Sequence, residues 1–208
     1  MQKTNWDEYY KKPYKTAHFT RNITGNTLIK FMKKYSGKTG NFTISELGGA
    51  NSCFYESIVK KLSPSEYYIY DNNETGLEAF RKRISNRSNV KLHKADLLNK
   101  VSNVNRTDIV FSVGLIEHFN QEGTKKVIGA HFDFVKTGGI IIITFPTPTY
   151  LYKSTRFISE MLGLWIFHDE RPLHLDEVSQ NLKTKGEILK QKIIWPIFLT
   201  QGVMVIKT

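Results

Sequence analysis

Four short segments carry residue types and spacings that could bind and activate a small molecule. Glu46-Leu47-Gly48-Gly49-Ala50-Asn51-Ser52 sets small residues behind an acid. Small residues let a backbone turn tightly and approach a ligand closely, and a helix starting there offers unpaired N–H groups. An ordinary strand-to-helix turn would use the same residues. Asp71 stands about as far beyond this turn as a ribose-binding acid requires. A carboxylate there can accept hydrogen bonds from both ribose hydroxyls, though it could equally be a turn or cap residue. Asp96, in Lys94-Ala95-Asp96-Leu97-Leu98, could accept from an adenine amino group, or serve as an N-cap or loop ion pair. Ser112-Val113-Gly114-Leu115-Ile116-Glu117-His118-Phe119 is the most informative segment. It places an acid–imidazole pair just past a glycine. His118 titrates in the range suited to proton transfer near neutral pH; the alternative is a structural histidine bonded under a sheet.

These residues need elements to position them, and the hydrophobic pattern supplies the elements. A helix is expected from Asn26, with Leu28, Phe31, Met32 and Tyr35 on one face and a stop at Gly37 and Gly40. Strand and helix then alternate. Strands are expected at Phe42–Leu47, Tyr67–Tyr70, Val90–His93, Ile109–Val113 and Ile140–Phe145. Amphipathic helices run through Tyr55–Leu62, Leu77–Ile84 and Val127–Val135. The fifth strand is apolar on both faces, as in the middle of a parallel sheet. This alternation implies a doubly wound α/β sheet with right-handed crossovers. Ligands there bind beyond the carboxyl ends of the strands, which is where Glu46, Asp71, Asp96 and Glu117–His118 fall.

Composition narrows the classes. The 208 residues suit one domain, with 40% hydrophobic and 24% charged residues, so disorder is excluded. One cysteine, Cys53, rules out an internal disulfide and favours a reducing compartment. The N-terminus lacks an apolar signal region, and the longest apolar run, Gly139 to Phe145, is too short to span a bilayer. A cytoplasmic protein is expected. The net charge of +11 is spread in short lysine and arginine groups, with no nucleic-acid motif. It reads as a solvated basic surface or as attraction for a phosphorylated or carboxylated substrate; nucleic acid comes last.

In order and spacing these segments resemble the class I S-adenosylmethionine (SAM)-dependent methyltransferases, especially the type 11 small-molecule group. That family's first strand ends in E/D-x-G-x-G-x-G, matched from Glu46 to Ser52, although only the first spaced glycine is kept. Acids follow its second and third strands, matched by Asp71 and Asp96. Its fourth strand reads like D-x-V-x-S-x-x-x-x-E-H, matched from Asp108 to His118, and Gly138–Gly139 precedes the fifth. Arg171 to Asp176, a helix, and strands at Ile188–Trp195 and Phe198–Ile206 look like its closing segment. The resemblance implies a Rossmann-like, seven-stranded sheet, mostly parallel with an antiparallel last strand and helices on both faces. It implies SAM as cofactor, with Gly48, Gly49 and Ala50 under the methionine part and Glu46 near its amino group. Asp71 with Asn72 would hold the ribose, Asp96 with Leu97 the adenine, and Val113 and Gly114 would border the cofactor. His118 is the expected general base, with Glu117 beside it and His174 in reserve. No metal is expected.

Residues 1–40 are expected to form a helical lid and substrate segment, and 41–208 the SAM-binding domain. An insertion at 146–170 carries Phe157, Ile158, Met161, Leu162, Leu164, Trp165, Ile166 and Phe167. It is too apolar for a free surface and reads as pocket wall, dimer interface or membrane-surface contact. Substrate contacts are expected from Tyr14, His18, Arg21, Arg156 and Arg171. The acceptor is expected to be a small, anionic metabolite taking a methyl group on oxygen or nitrogen. A nucleotide-activated sugar or surface-polysaccharide precursor is favoured, with a quinone or lipid next. A homodimer is possible, and nucleic acid is not expected as a partner. Two rivals stand beside this reading: an NAD-dependent oxidoreductase on the same fold, and a SAM-binding protein without transferase activity.

Overall fold

The computed structural model describes residues 3–11, 18–38, 40–84, 87–195 and 198–208. Seven strands form one sheet: β1 (Thr43–Leu47), β2 (Glu66–Asp71), β3 (Val90–Lys94), β4 (Thr107–Val113), β5 (Val135–Pro146), β6 (Glu187–Ile194) and β7 (Gln201–Lys207). Their order is β3-β2-β1-β4-β5-β7-β6. The first five run parallel, whereas β7 is antiparallel to both β5 and β6. The central strands are buried on both faces, which is why the Ile109–Phe111 run of β4 and the Ile140–Ile143 run of β5 are apolar. The edge strands carry the charge, with Lys91 and Lys94 on β3 and Glu187, Lys190 and Lys192 on β6. Charge of this kind blunts edge-to-edge pairing.

Helices cover both faces: α1 (Trp6–Lys11), α2 (His18–Ser36), α3 (Tyr55–Leu62), α4 (Glu74–Ile84), α5 (Gln121–Phe134), α6 (Tyr150–Met161) and α7 (Leu175–Leu182). One core layer joins Leu28 and Met32 of α2, Ile58 of α3 and Phe80 of α4 to Ile44, Ile140 and Ile142. The other joins Val127 and Ile128 of α5 and Val178 and Leu182 of α7 to Val110, Ile141 and Ile143. Alternate residues of β5 thus feed opposite layers, as the two-residue period of a strand requires. Burying Leu28 and Met32 contributes roughly 1.5–3 kcal/mol each, so α2 is part of the body of the domain rather than of a detachable lid.

Two elements differ from expectation. The helix expected from Asn26 begins at His18. Its first turns carry no apolar stripe because polar groups are satisfied in place. Thr24 Oγ1 donates to Gln201 Oε1 at 3.0 Å, and Thr27 Oγ1 to the Ile23 carbonyl at 2.9 Å. The 146–170 insertion contains α6, started by Thr149, whose Oγ1 accepts from the Tyr152 amide at 3.1 Å. No helix of the described residues is long and apolar enough to cross a membrane.

Candidate active site

Parallel register aligns the carboxyl ends of the strands. Leu47 pairs with Tyr70 and Ser112, and Asp71 with Lys94. The turns beyond β1, β2 and β4 therefore open into one cleft of about 1360 Å³. Its lining includes Glu46, Gly48, Gly49, Asp71, Asn72, Asp96, Leu97, Val113, Gly114, Glu117 and His118. In the sequence these residues are distributed over four separate segments.

At one end the glycine turn shapes a cradle. Gly48 has φ +72°, which side chains rarely adopt, and a Cβ there would lie 2.6 Å from Leu115 Cδ1. A Cβ on Gly49 would come within 2.5 Å of the Glu46 carboxyl carbon, so its absence lets that acid lie against the backbone. Glu46 is buried, and its Oε2 accepts from the Tyr67 hydroxyl at 2.6 Å. Burial pushes its carboxyl up to about 7. Asp71 Oδ2 accepts from the Ala50 amide at 3.0 Å and Oδ1 from the Asn73 amide at 2.8 Å. Burial raises its carboxyl while these amides pull it back down. Ala50 itself is fully buried and shapes the turn from beneath. The exposed Asp96 closes its own turn, accepting from the Leu98 amide and from Asn99 Nδ2.

The N-terminal helix α1 reaches over this end. A Cβ at Gly76 would lie 2.8 Å from the Tyr10 ring and 2.6 Å from Ala50 Cβ, so Tyr10 rests on the start of α4 beside Asp71. Trp6, Tyr9 and Tyr10 pack on one another. The Arg21 guanidinium donates to the Tyr9 hydroxyl at 2.8 Å and lines the cleft. Tyr14 lies outside the described residues, and His18 opens α2.

The other end holds the imidazole. Gly114, at φ +65°, turns the chain out of β4 into a short 3-10 turn, Ile116–His118. His118 Nδ1 lies 3.0 Å from Asp169 Oδ1, and Asp169 also accepts from Thr4 Oγ1. The Trp6 ring meets the imidazole edge-on, with centroids 4.9 Å apart. Nε2 faces Glu117 Oε1 at 3.9 Å. Burial lowers the His118 pKa against the upward pull of Asp169. Glu117 is buried, and burial with the nearby Glu170 raises its carboxyl well above the usual range. Glu170 accepts from the Tyr152 hydroxyl. His131, by contrast, is a structural histidine beneath the sheet. Its nitrogens bond to the Val127 carbonyl at 2.7 Å and Ser112 Oγ at 2.9 Å, and burial lowers its pKa to about 4.

Four expected site residues stand off the cleft, the fully buried Ala50 among them. His174 is exposed ahead of α7 and does not line the cleft, so it cannot replace His118 as a base. Arg156 is taken up by Glu160 at 2.8 Å, by the Glu170 carbonyl at 2.9 Å and by the face of Trp165. Arg171 binds Glu177 at 2.8 Å. Both arginines brace the segment around Glu170 instead of contacting the cleft. The pocket-wall expectation for 157–167 narrows to Trp165 and Phe167; Phe157, Ile158, Met161, Leu162 and Leu164 are exposed. Conversely, sequence reasoning missed Asp169, Glu170 and Tyr152 as site residues. The one signal was an Asp-Glu pair closing an apolar run.

An adenosyl-sulfonium ligand fits these residues. The Gly48–Gly49 cradle leaves room a side chain would fill, Asp71 keeps lone pairs beyond its two amide bonds, and Glu46 offers a carboxyl to an ammonium group. The antiparallel β7 between β5 and β6 also separates this sheet from the 3-2-1-4-5-6 order of dinucleotide folds. The fold is that of the class I methyltransferases. Residues 44–139 match the family described as a methyltransferase domain, so this part of the chain is a methyltransferase domain. None of the curated proteins matches the chain. Among solved structures it is similar to a chain of the "complex between the Haloferax volcanii Trm112 methyltransferase activator and the putative methyltransferase". That likeness has TM-score 0.76 and 11% identity, covering 100% of this chain and 99% of the other. It is similar to a SAM-dependent methyltransferase from Clostridium acetobutylicum, with TM-score 0.68, 14% identity and 89% and 91% covered. It is also similar to the N-methyltransferase NodS from Bradyrhizobium japonicum in complex with S-adenosylhomocysteine (SAH), with TM-score 0.65, 11% identity and 88% and 86% covered.

Proposed function

We propose that this chain acts in the cytoplasm, moving a methyl group from SAM to an oxygen or nitrogen of a small anionic metabolite. A nucleotide-activated sugar or surface-polysaccharide precursor is the favoured class. The observation that carries this reading is the polarity of the cleft. Lys3, Lys11, Arg21, Lys61 and Arg83 stand among its lining, Arg83 paired with Glu56 at 3.1 Å, while Glu117, His118, Asp169 and Glu170 line its inner end. An acceptor can leave its anionic group among the cations and present a hydroxyl or amine to the imidazole.

When bound, SAM supplies an electrophilic methyl on a sulfonium, which needs alignment more than covalent help. Gly48 and Gly49 give the methionine part room, with Glu46 beside its amino group. Asp71 and Asn72 hold the ribose, and Asp96 and Leu97 border the adenine. Val113 and Gly114 flank the path to the acceptor. Asp169 holds the Nδ1 side of His118, which leaves the Nε2 lone pair free to take the acceptor's proton. Trp6, Tyr9 and Tyr10 of α1 close the cleft against water.

The experiment is transfer of labelled methyl from SAM to a panel of nucleotide-activated sugars, repeated at rising salt. Product is expected with a phosphorylated acceptor. Its KM should rise several-fold between low and high salt, because screening shortens the reach of the rim cations, while SAM affinity changes less. A salt-independent KM, or transfer only to neutral or lipid acceptors, contradicts the anionic reading.

A further inference from the structure

We propose that Glu117, His118 and Glu170 form a binding site for a divalent first-row transition-metal ion, with Asp169 orienting the imidazole from behind. One ligand atom of each of the three residues lies within 4.8 Å of the other two. The His118 Nε2 to Glu117 Oε1 gap of 3.9 Å is too long for a hydrogen bond. A shared ion about 2.1 Å from each ligand would need only a small inward movement of these side chains.

A second observation points to an occupant. Glu117 Oε2 is buried without a hydrogen-bond partner among the described residues, on a side chain 1% exposed. The same carboxyl faces Nε2 through its other oxygen, Oε1, and clusters with the Glu170 carboxyl, with Asp169 behind the imidazole. A buried polar atom without a partner is costly, and two adjacent buried carboxyls cannot both ionise without a counter-charge. A cation between them removes both penalties.

The surroundings are built in the same sense. With Asp169 on Nδ1, the ring proton sits there and the lone pair points from Nε2 towards the two glutamates. Tyr152 holds one oxygen of Glu170. Gly114 keeps the approach open, since a Cβ there would lie 3.3 Å from Glu117 Oε1. One imidazole and two carboxylates suit Mn²⁺, Fe²⁺, Co²⁺ or Zn²⁺ better than Ca²⁺. Three protein ligands leave positions open towards the cleft. This departs from the expectation of a metal-free site. Its use rests on the methyl-transfer reading: the open positions would take oxygen donors of the acceptor, and His118 would then be a ligand instead of a free base.

The test is Mn²⁺ titration of chelator-stripped protein, followed by loss of the free-ion electron paramagnetic resonance signal, with Zn²⁺ calorimetry in parallel. About one ion per chain is expected with micromolar affinity. Glu117→Gln and Glu170→Gln should each weaken it at least tenfold. If the first variant fails to fold, as read by its melting curve, the second carries the comparison. Absence of stoichiometric binding by the wild type, or wild-type affinity in Glu170→Gln, overturns the proposal. SAH titrated into the same samples separates the two readings. Binding of SAH without any ion removes the metal alone, and binding of neither removes the methyl-transfer reading as well.

Discussion

The two ends of the cleft solve opposite problems with the same residue type. At the cradle end, Asp71 is held by two backbone amides and Glu46 by a tyrosine hydroxyl, so each acid is fixed before any ligand arrives. At the inner end, Glu117 keeps an oxygen without a partner among the described residues and faces an imidazole it does not bond. On the proposed reading, the first end is preorganised for a constant ligand, and the second is left unsatisfied for a variable one. The histidines repeat the contrast. His131 has both ring nitrogens bonded within the fold, whereas only the Nδ1 side of His118 is anchored.

The largest effect that can break this comparison is on turnover. His118→Gln should lower the rate about 10²-fold or more, the scale of a lost general base and a loss expected equally if the imidazole acts as an ion ligand, while SAM affinity stays within a few-fold. His131→Gln, measured alongside, should act on melting temperature and not on the rate constant of folded protein. Equal turnover losses in both would erase the distinction between a site histidine and a structural one.

A smaller effect concerns protons at the cradle. Burial lifts the Glu46 carboxyl to about 7, so at pH 6 it is mostly protonated in the free protein. An ammonium group beside it favours the ionised form, so SAH binding at pH 6 should release up to about one proton, and far less at pH 8. Calorimetry in buffers of different ionisation enthalpy reads this directly. The stability linkage has a definite sign. Between the unfolded carboxyl's ordinary pKa and about 7, the folded state holds a proton that the unfolded state has lost. Glu46 therefore lowers stability as pH rises through that window, and Glu46→Gln should abolish that part of the slope. An unchanged slope and no proton release would place Glu46 outside the ligand's reach.

The cradle end was legible in the sequence because it is local. A turn follows its own strand, so the apolar patterns of β1 and β2 located Glu46, Gly48, Gly49 and Asp71 without tertiary information. The inner end was only half legible. Glu117 and His118 announce themselves after β4, but Asp169 and Glu170 reach them from a distant segment through contacts that no local pattern encodes. Arg156 and Arg171 misled for the same reason, because a charge in sequence does not show the partner that neutralises it. The early start of α2 was hidden by Thr24 and Thr27, which interrupt the apolar period yet are bonded in place.

The most direct test of the central claim is a calorimetric titration of SAH, with NAD as control, into the wild type and Asp71→Ala. Micromolar SAH binding is expected, on the order of −8 kcal/mol, with no NAD binding and at least a tenfold loss in the variant. Undiminished affinity in folded Asp71→Ala, or a preference for NAD, would contradict the placement of SAM in this cleft.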